Sequence, residues 1–344
     1  MNVLLDDISC AELLYPFTST RSIVDVRVGI LTIREKWELL LSKKIQTTSQ
    51  AGQNRTESTI IPGNVIPSKA LIEKLESGEY SESEHQGSIL RFPWQISQFN
   101  DQQIRTDFTF ITQNRRSEEI PAGVTIINEE NIFIEPGANI QHAIINASTG
   151  PVYIGKNSII MEGSLIRGPF ALGEGSLVKM GSKIYGATTA GPYCILGGEI
   201  KNSVLFGYSN KAHDGYLGDS VIGEWCNLGA GTSNSNIKNT AGIVSVWDNA
   251  SKSFMPAGNK VGLMMGDYSR AAINTSFNTG TILGVCCNIF DAGFPPKYIP
   301  DFTWGNEKYK LEKAFSDISN WKKMKGHTFT EKEKEILTAL YNKQ

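Results

Sequence analysis

Residues 154–184 read IGKNSIIMEGSLIRGPFALGEGSLVKMGSKI, and within them Ile154, Ile160, Ile166, Leu172, Val178 and Ile184 recur every six residues without a miss. Ser158, Ser164, Ser176 and Ser182 stand four places after an apolar member of the series. A helix repeats every 3.6 residues and an ordinary strand every 2, so neither has this period. A chain that makes one flat face and one corner every six residues closes a triangular coil in roughly 18 residues, with rungs about 4.8 Å apart as in any sheet. The expectation is a parallel β-solenoid with the apolar residue turned inward at each corner.

The register resumes downstream at Ile222 and Leu228, and again at Met265, Ala271, Phe277, Leu283 and Ile289. It slips at residues 186–198 and 239–260, where loops are expected to leave a corner of the scaffold. Upstream, residues 1–125 mix short apolar segments with a predicted helix over 31–41. The polar stretch 42–86 is expected to be loop or a partly mobile insertion. Beyond Pro300 the hexads stop; 306–324 is a predicted helix, and Thr330 with Glu333 forms a capping-box pattern ahead of Ile336, Leu337, Leu340 and Tyr341. Three regions follow: 1–125, a solenoid over 126–300, and a helical cap over 301–344.

The chain has 344 residues, with 33 basic and 35 acidic side chains and a net charge of −2, which gives no electrostatic footing for nucleic acid or a membrane surface. No apolar run approaches the roughly 18 residues of a membrane span, and the first ten residues carry acids where a secretory leader has a basic region. A cytoplasmic protein is expected. Five cysteines without a CxxC pair are read as small buried apolar residues.

Residues 197–236 concentrate the chemistry. His213, one of four histidines, lies in Lys211-Ala-His-Asp-Gly-Tyr216-Leu-Gly-Asp219. An imidazole accepts a proton near neutral pH, as a general base must. Lys201 and Lys211 are candidates to pair with an anionic substrate, while Tyr216, Asn227 and Asn236 offer neutral groups suited to sugar hydroxyls and amides. The bland readings are a hydrogen-bonded structural histidine and asparagines holding left-handed corners.

The order Glu199-x-Lys201, Lys211-x-His213-x-x-Tyr216-x-Gly218-Asp219, Ile222-Gly223-x-x-x-Asn227-x-Gly229-Ala230-Gly231-Thr232, together with Gly168-Pro169-Phe170-Ala171, resembles the acetyltransferase half of the bifunctional N-acetylglucosamine-1-phosphate uridylyltransferase/glucosamine-1-phosphate acetyltransferase family (GlmU) and of related archaeal sugar-1-phosphate nucleotidylyltransferases. The resemblance runs from Gly168 to Asn236. It implies a mainly β chain with a left-handed parallel β-helix of hexapeptide repeats, a shortened α/β nucleotidyltransferase-like domain before it and C-terminal helices after it. It also implies assembly as a homotrimer. By position it makes His213 the general base and Lys201 the phosphate-binding lysine. Tyr216, Asn227 and Asn236 become sugar-contacting or base-orienting residues, and Ala230 a backbone contact to acetyl-CoA.

The implied function is N-acylation of a hexosamine 1-phosphate in nucleotide-sugar biosynthesis. The family's phosphate-binding arginine has no counterpart, since Leu172-Gly173-Glu174-Gly175 stand there; Arg167, Lys179 and Lys183 are the nearby cations. Its second lysine after the Asn236 position is also missing, with Lys238 out of place. Residues 14–21, LYPFTSTR, with Val28-Gly29, resemble the Pro-Leu-Thr segment of sugar nucleotidyltransferases, whose Gly-rich loop is absent here. On that alternative Arg21, Arg27 and Asp6 or Asp7 are candidate nucleotide-site residues and Mg²⁺ is required.

Three other readings stay open at this level. One is a non-catalytic sugar-nucleotide-binding protein, and another a purely structural solenoid. The third, a zinc carbonic anhydrase on the same solenoid, needs three histidines where only His142 and His213 lie within the repeats, so no metal site is expected.

Overall fold

The computed structural model describes residues 2–51, 58–81 and 89–343. The hexads build a parallel β-solenoid of about 10 turns. Its first face is a six-stranded sheet from Thr125–Ile127 to Tyr216–Gly218, its second a nine-stranded sheet from Ile132–Ile134 to Tyr298–Ile299, and its third a ten-stranded sheet from Asn139–Ile140 to Glu307–Lys308. Where the repeat is regular, partners in adjacent coils are separated by three hexads, as in Leu165 with Lys183, Phe170 with Thr188 and Leu177 with Ile195.

Ile154, Ile160, Ile166, Leu172, Val178 and Ile184 are all buried in one core. They point inward from the strands, not from the corners as expected. The corners instead go to residues that tolerate a left-handed backbone, among them Asn157, Asn202 and Asn274. The buried serines span coils: Ser176 Oγ donates to Gly191 O at 2.7 Å and accepts from Cys194 N at 2.8 Å. Ser209 does the same with Gly223 O and Cys226 N, and Ser269 with Gly284 O and Cys287 N.

The two slips differ in kind. Residues 186–198 form no loop: the coil is merely shortened, so that Ile195 pairs with Asn210, half a hexad earlier than the regular spacing. The second slip is a true excursion, an antiparallel hairpin of Val244–Asp248 and Ser253–Gly258, after which Asn227 pairs with Arg270.

The N-terminal region is a small parallel sheet of three strands, β1 (Val3–Asp6) flanked by β2 (Gln46–Thr47) and β3 (Thr59–Pro62). Its helices are α1 (Ile33–Leu41), α2 (Thr48–Ala51), α3 (Lys69–Ser77) and α4 (Gln95–Thr112). The polar stretch 42–86 therefore supplies two strands and two helices, correcting its reading as a loop; its parts at 52–57 and 82–86 lie outside the described residues. Helix α1 starts on a capping box between Thr32 and Glu35. Val204, Phe206, Val221, Met264 and Ile282 of the second face share a core with Leu14, Phe17, Ile23 and Trp37 of this region.

Beyond the last coil come α5 (Leu311–Met324) and α6 (Glu331–Asn342), the latter opening on the expected Thr330–Glu333 capping box. They cover the upper third face and the corner where Tyr208, Trp225 and Tyr268 take left-handed backbone and bury their rings. Tyr208 stacks on Trp225 with centroids 4.4 Å apart, and His327 meets both edge-on. All five cysteines are buried. Among the described residues no helix is long and apolar enough to cross a membrane.

Candidate functional site

His213 and Ala230 lie at the corner where the third face turns into the first, Asn227 precedes it on the third face, and Lys201, Tyr216 and Asn236 follow it along the first. At residues 197–198 this corner is tight, and in the next coils it widens to 212–215, 229–232 and 272–275. The wide turns stack: Gly231 N donates to Asp214 O at 3.0 Å and Asn274 N to Ala230 O at 2.7 Å. Gly198 permits the step, because a Cβ there would lie 2.7 Å from His213 O.

His213 stands exposed on its turn, and its imidazole makes no hydrogen bond among the described residues. The turn is held from inside by Lys211, whose Nζ donates to His213 O at 2.5 Å and Asp214 O at 3.2 Å. Lys211 is fully buried, and burial lowers its pKa from 10.5 to about 8. That corrects its reading as a substrate cation: it points into the solenoid and caps the backbone beneath the histidine. Ala230 occupies the equivalent place one coil on, and among the described residues its N–H has no protein acceptor.

Along the first face, toward the corner where it turns into the second, Asn236 meets Tyr216, and Lys201 is paired across coils with Gly218. Asn236 Nδ2 donates to Tyr216 Oη at 3.2 Å and to Asp219 Oδ2 at 2.5 Å, while Asn202 donates to Asp219 Oδ1 at 3.2 Å. The Tyr216 ring folds back over Gly218, where a Cβ would come within 2.4 Å of its hydroxyl. Burial, followed by the Asp219 charge, pushes the Tyr216 phenol up to about 12, so it stays protonated and able to donate. Lys201 Nζ lies 5.5 Å from the centre of the Tyr185 ring and makes no ion pair among the described residues. Tyr185 in turn donates to Glu199 at 2.6 Å, and that bond, with burial, pushes its phenol up to about 12.

Sequence reasoning singled out neither Tyr185 nor Asn202. The coil register that pairs Tyr185 with Lys201 is the signal that finds the first. Arg167 stands in the same outward column one further coil away, opposite Tyr185, and Lys183 also lies on this face.

Asn227 lies on the other side of the corner, on the third face, accepting from Asn210 Nδ2 at 3.3 Å. Neither Asn227 nor Asn236 has a left-handed backbone, so the corner reading does not account for them.

Arg21 and Arg27 are not brought to this site. Arg21 is buried at the corner between the second and third faces, with Nη2 2.5 Å from Asp267 Oδ2 and 3.3 Å from Glu224 Oε2. Burial works against its charge, but Asp267 and Glu224 outweigh it and raise its pKa. Arg27 donates to Ile30 O and lies 3.9 Å from Glu35.

Asp6 and Asp7 end the central strand β1, at the edge of the sheet where α/β folds place ligands. Burial raises the pKa of each, and hydrogen bonds more than offset it, from Ser9, Ile8 N and Thr48 at Asp6 and from Ser49 and Ser22 at Asp7. Among the described residues no three His, Cys, Asp or Glu side chains converge as a metal cluster. A cavity of about 1140 Å³ lies elsewhere, between Glu12, Tyr15 and Thr18 and the last coil at Asp301 and Lys308. His213, exposed on its turn, does not line it.

Comparison with known proteins bears on both halves. Residues 2–84 match a family model described as sugar nucleotidyl transferase. The chain is 34% identical over 164 residues to the bifunctional protein GlmU of Rippkaea orientalis, covering 41% of this chain and 36% of the relative. It is 34% identical over 89 residues to the bifunctional protein GlmU of Methanocaldococcus jannaschii, covering 26% and 21%. A solved polysialic-acid-specific acetyltransferase, NeuO, aligns at 11% identity and a TM-score of 0.26 over 58% of this chain and 94% of that one. The chain spans 36% or less of the length of these two relatives. The chain is thus similar to sugar nucleotidyl transferases over residues 2–84 and to GlmU proteins over part of its length.

Proposed function

We propose that the protein is an N-acyltransferase of the GlmU type, acting on a hexosamine-1-phosphate-like sugar with acetyl-CoA as acyl donor, in nucleotide-sugar biosynthesis in the cytoplasm. The observation that carries this reading is that His213 and Ala230 stand at one corner on successive coils while Lys201, Tyr216 and Asn236 line the face that leaves it. An exposed imidazole, an unpaired ammonium, a protonated phenol and a free backbone N–H stand on adjacent coils about 4.8 Å apart.

On this reading Lys201 holds the sugar phosphate on the first face, and Tyr216 and Asn236 hydrogen-bond the sugar. His213 takes a proton from the amine as its nitrogen attacks the thioester carbonyl. The Ala230 N–H donates to the oxygen that gains charge, and collapse of that intermediate expels the thiolate. Asn227, on the third-face side of the corner, contacts the sugar or orients the base.

An exposed His213 does not exclude water by itself, so the reading includes a homotrimer in which a neighbouring copy closes the site. Exposed Ile127, Ile144 and Leu165 on the first face offer apolar surface for that contact. Light scattering is then expected to give three times the 37.8 kDa of one chain.

The second reading, a sugar-1-phosphate nucleotidyltransferase requiring Mg²⁺, is favoured by the family match over residues 2–84 and by Asp6 and Asp7 at the carboxyl end of β1. One pair of assays separates the two. Hexosamine 1-phosphates with acetyl-CoA are followed by free thiol, and nucleoside triphosphates with sugar 1-phosphates and Mg²⁺ by pyrophosphate. Thiol release is expected, reduced about 10²–10⁴-fold by His213→Ala. Undiminished release in that variant removes His213 as the base. Pyrophosphate release lost on Asp6→Asn selects the second reading, and silence in both assays selects a sugar-nucleotide-binding protein without catalysis.

A further inference from the structure

On the third face the outward side chains of Asn210, Asn227, Arg270 and Asn288 form a column, one per coil, and α5 lies across its upper part. Arg270 is the charged member, and it is only 8% exposed. Among the described residues it makes no ion pair. Its Nη1 donates one bond, to Tyr268 O at 3.3 Å, and the guanidinium lies 5.3 Å from the centre of the Trp321 ring of α5. Nε and Nη2 have no hydrogen-bond partner. Those two nitrogens form one edge of the guanidinium, the edge that presents parallel N–H donors to a carboxylate or phosphate.

A buried cation with most of its donors unmet is costly unless something supplies the missing charge. Burial lowers the pKa of Arg270 with no partner close enough to compensate. A cavity of about 170 Å³ adjoins it, walled by Arg270, Asn288, Tyr309, Asp317, Asn320 and Trp321. Asp317, the acid in that wall, is already engaged by the Tyr309 hydroxyl and lies 3.5 Å from Lys313. The remaining lining is neutral, and Asn288 and Asn320 can donate. The volume falls below the ~300–1,000 Å³ of sites for drug-sized ligands, so the occupant is small.

We propose that this cavity binds a small oxyanion of the phosphate or carboxylate type, held by the Arg270 guanidinium beside Trp321. The site is separate from the His213 corner and does not depend on the acyltransferase reading. It ties the C-terminal helix to the solenoid through an ion that both elements touch.

Calorimetric titration of the full chain at constant chloride, with inorganic phosphate and separately with acetate, tests the proposal. One saturable site per chain is expected for at least one anion. Arg270→Gln is expected to weaken it by about tenfold or more, the loss that follows from a charge-assisted pair of hydrogen bonds. Arg270→Lys, which keeps the charge without the fork, is expected to weaken it as well, and Lys201→Ala to leave it unchanged. The better anion identifies the chemistry of the occupant.

No saturable binding of either anion to the unaltered protein overturns the proposal, and that measurement needs no variant to fold. Equal affinity in Arg270→Gln overturns it too. So does binding that appears only with glucosamine 1-phosphate and vanishes in Lys201→Ala, since that assigns the anion to the first face.

Discussion

At the scale of single residues, motif order singled out candidate residues, but side-chain direction was not legible. His213 and Ala230 share one corner, and Lys201, Tyr216 and Asn236 the face beside it, because successive coils stack. Lys211, close to His213 in the chain, carries no sign in the sequence that it points inward. Its burial gives a pH-dependent prediction. With a native pKa of about 8 against 10.5 for a free lysine, the ammonium is charged in both states below pH 8, and its burial opposes folding there. From about pH 8 to 10.5 the native protein releases that proton while the unfolded chain keeps it. The stability of the unaltered protein should therefore rise relative to Lys211→Met across that window, by at most about 3 kcal/mol, measured by urea denaturation at stepped pH. A flat difference means that Lys211 titrates normally. Arg21 gives the second case. Breaking a buried pair strands its partner, so Arg21→Ala, which leaves Asp267 and Glu224 uncompensated, is expected to cost about 3–5 kcal/mol. A loss under about 1 kcal/mol in denaturant melts, the size of an exposed pair, would show that water reaches those carboxylates.

At the scale of elements, the period-six pattern made the coils readable, and its failures were less so. The shortened coil at 186–198 and the hairpin at 244–258 both break the register, yet nothing local distinguishes a tightened turn from an excursion. Strands β2 and β3 were unreadable for a related reason. They are short, lie in a polar stretch, and take their strand character from pairing with β1, which is remote in the chain. Helix α6 could be read because a capping box marks its start; α1, expected over 31–41, opens on a capping box that the sequence reading did not use. The serines in the hexads prove to be coil-to-coil linkers, which yields a prediction. Ser209→Ala removes the acceptor of the buried Cys226 N–H and the donor to Gly223 O. A cost of about 1–3 kcal/mol is expected, since the orphaned amide cannot reach water. Ser233→Ala, on a partly exposed rung, is expected to cost less. Equal effects in thermal melts would deny the serines this role.

At the scale of the whole molecule, the three regions drawn from the sequence meet as one packed body. The N-terminal sheet has too few strands to enclose a core alone, and its apolar residues close onto Val204, Phe206, Val221, Met264 and Ile282 of the second face. Asn100 of α4 donates to Ala187 O at 2.7 Å and accepts from Gly29 N at 2.8 Å, and Tyr15 donates to Asp301 at 2.9 Å. Solenoids by themselves lose cooperativity as they lengthen, because each coil touches only its neighbours. Here the N-terminal region bridges coils from Ala187 to Asp301, so breaking one interface exposes apolar surface on both sides. The full chain is accordingly expected to unfold in a single transition, with near-ultraviolet circular dichroism and tryptophan fluorescence coincident. The segment 126–344 alone, with its second face uncovered, is expected to bind a hydrophobic dye or aggregate. Two separated transitions, or a well-behaved dye-negative 126–344 fragment, would mean that the shared core contributes little and that the regions fold independently.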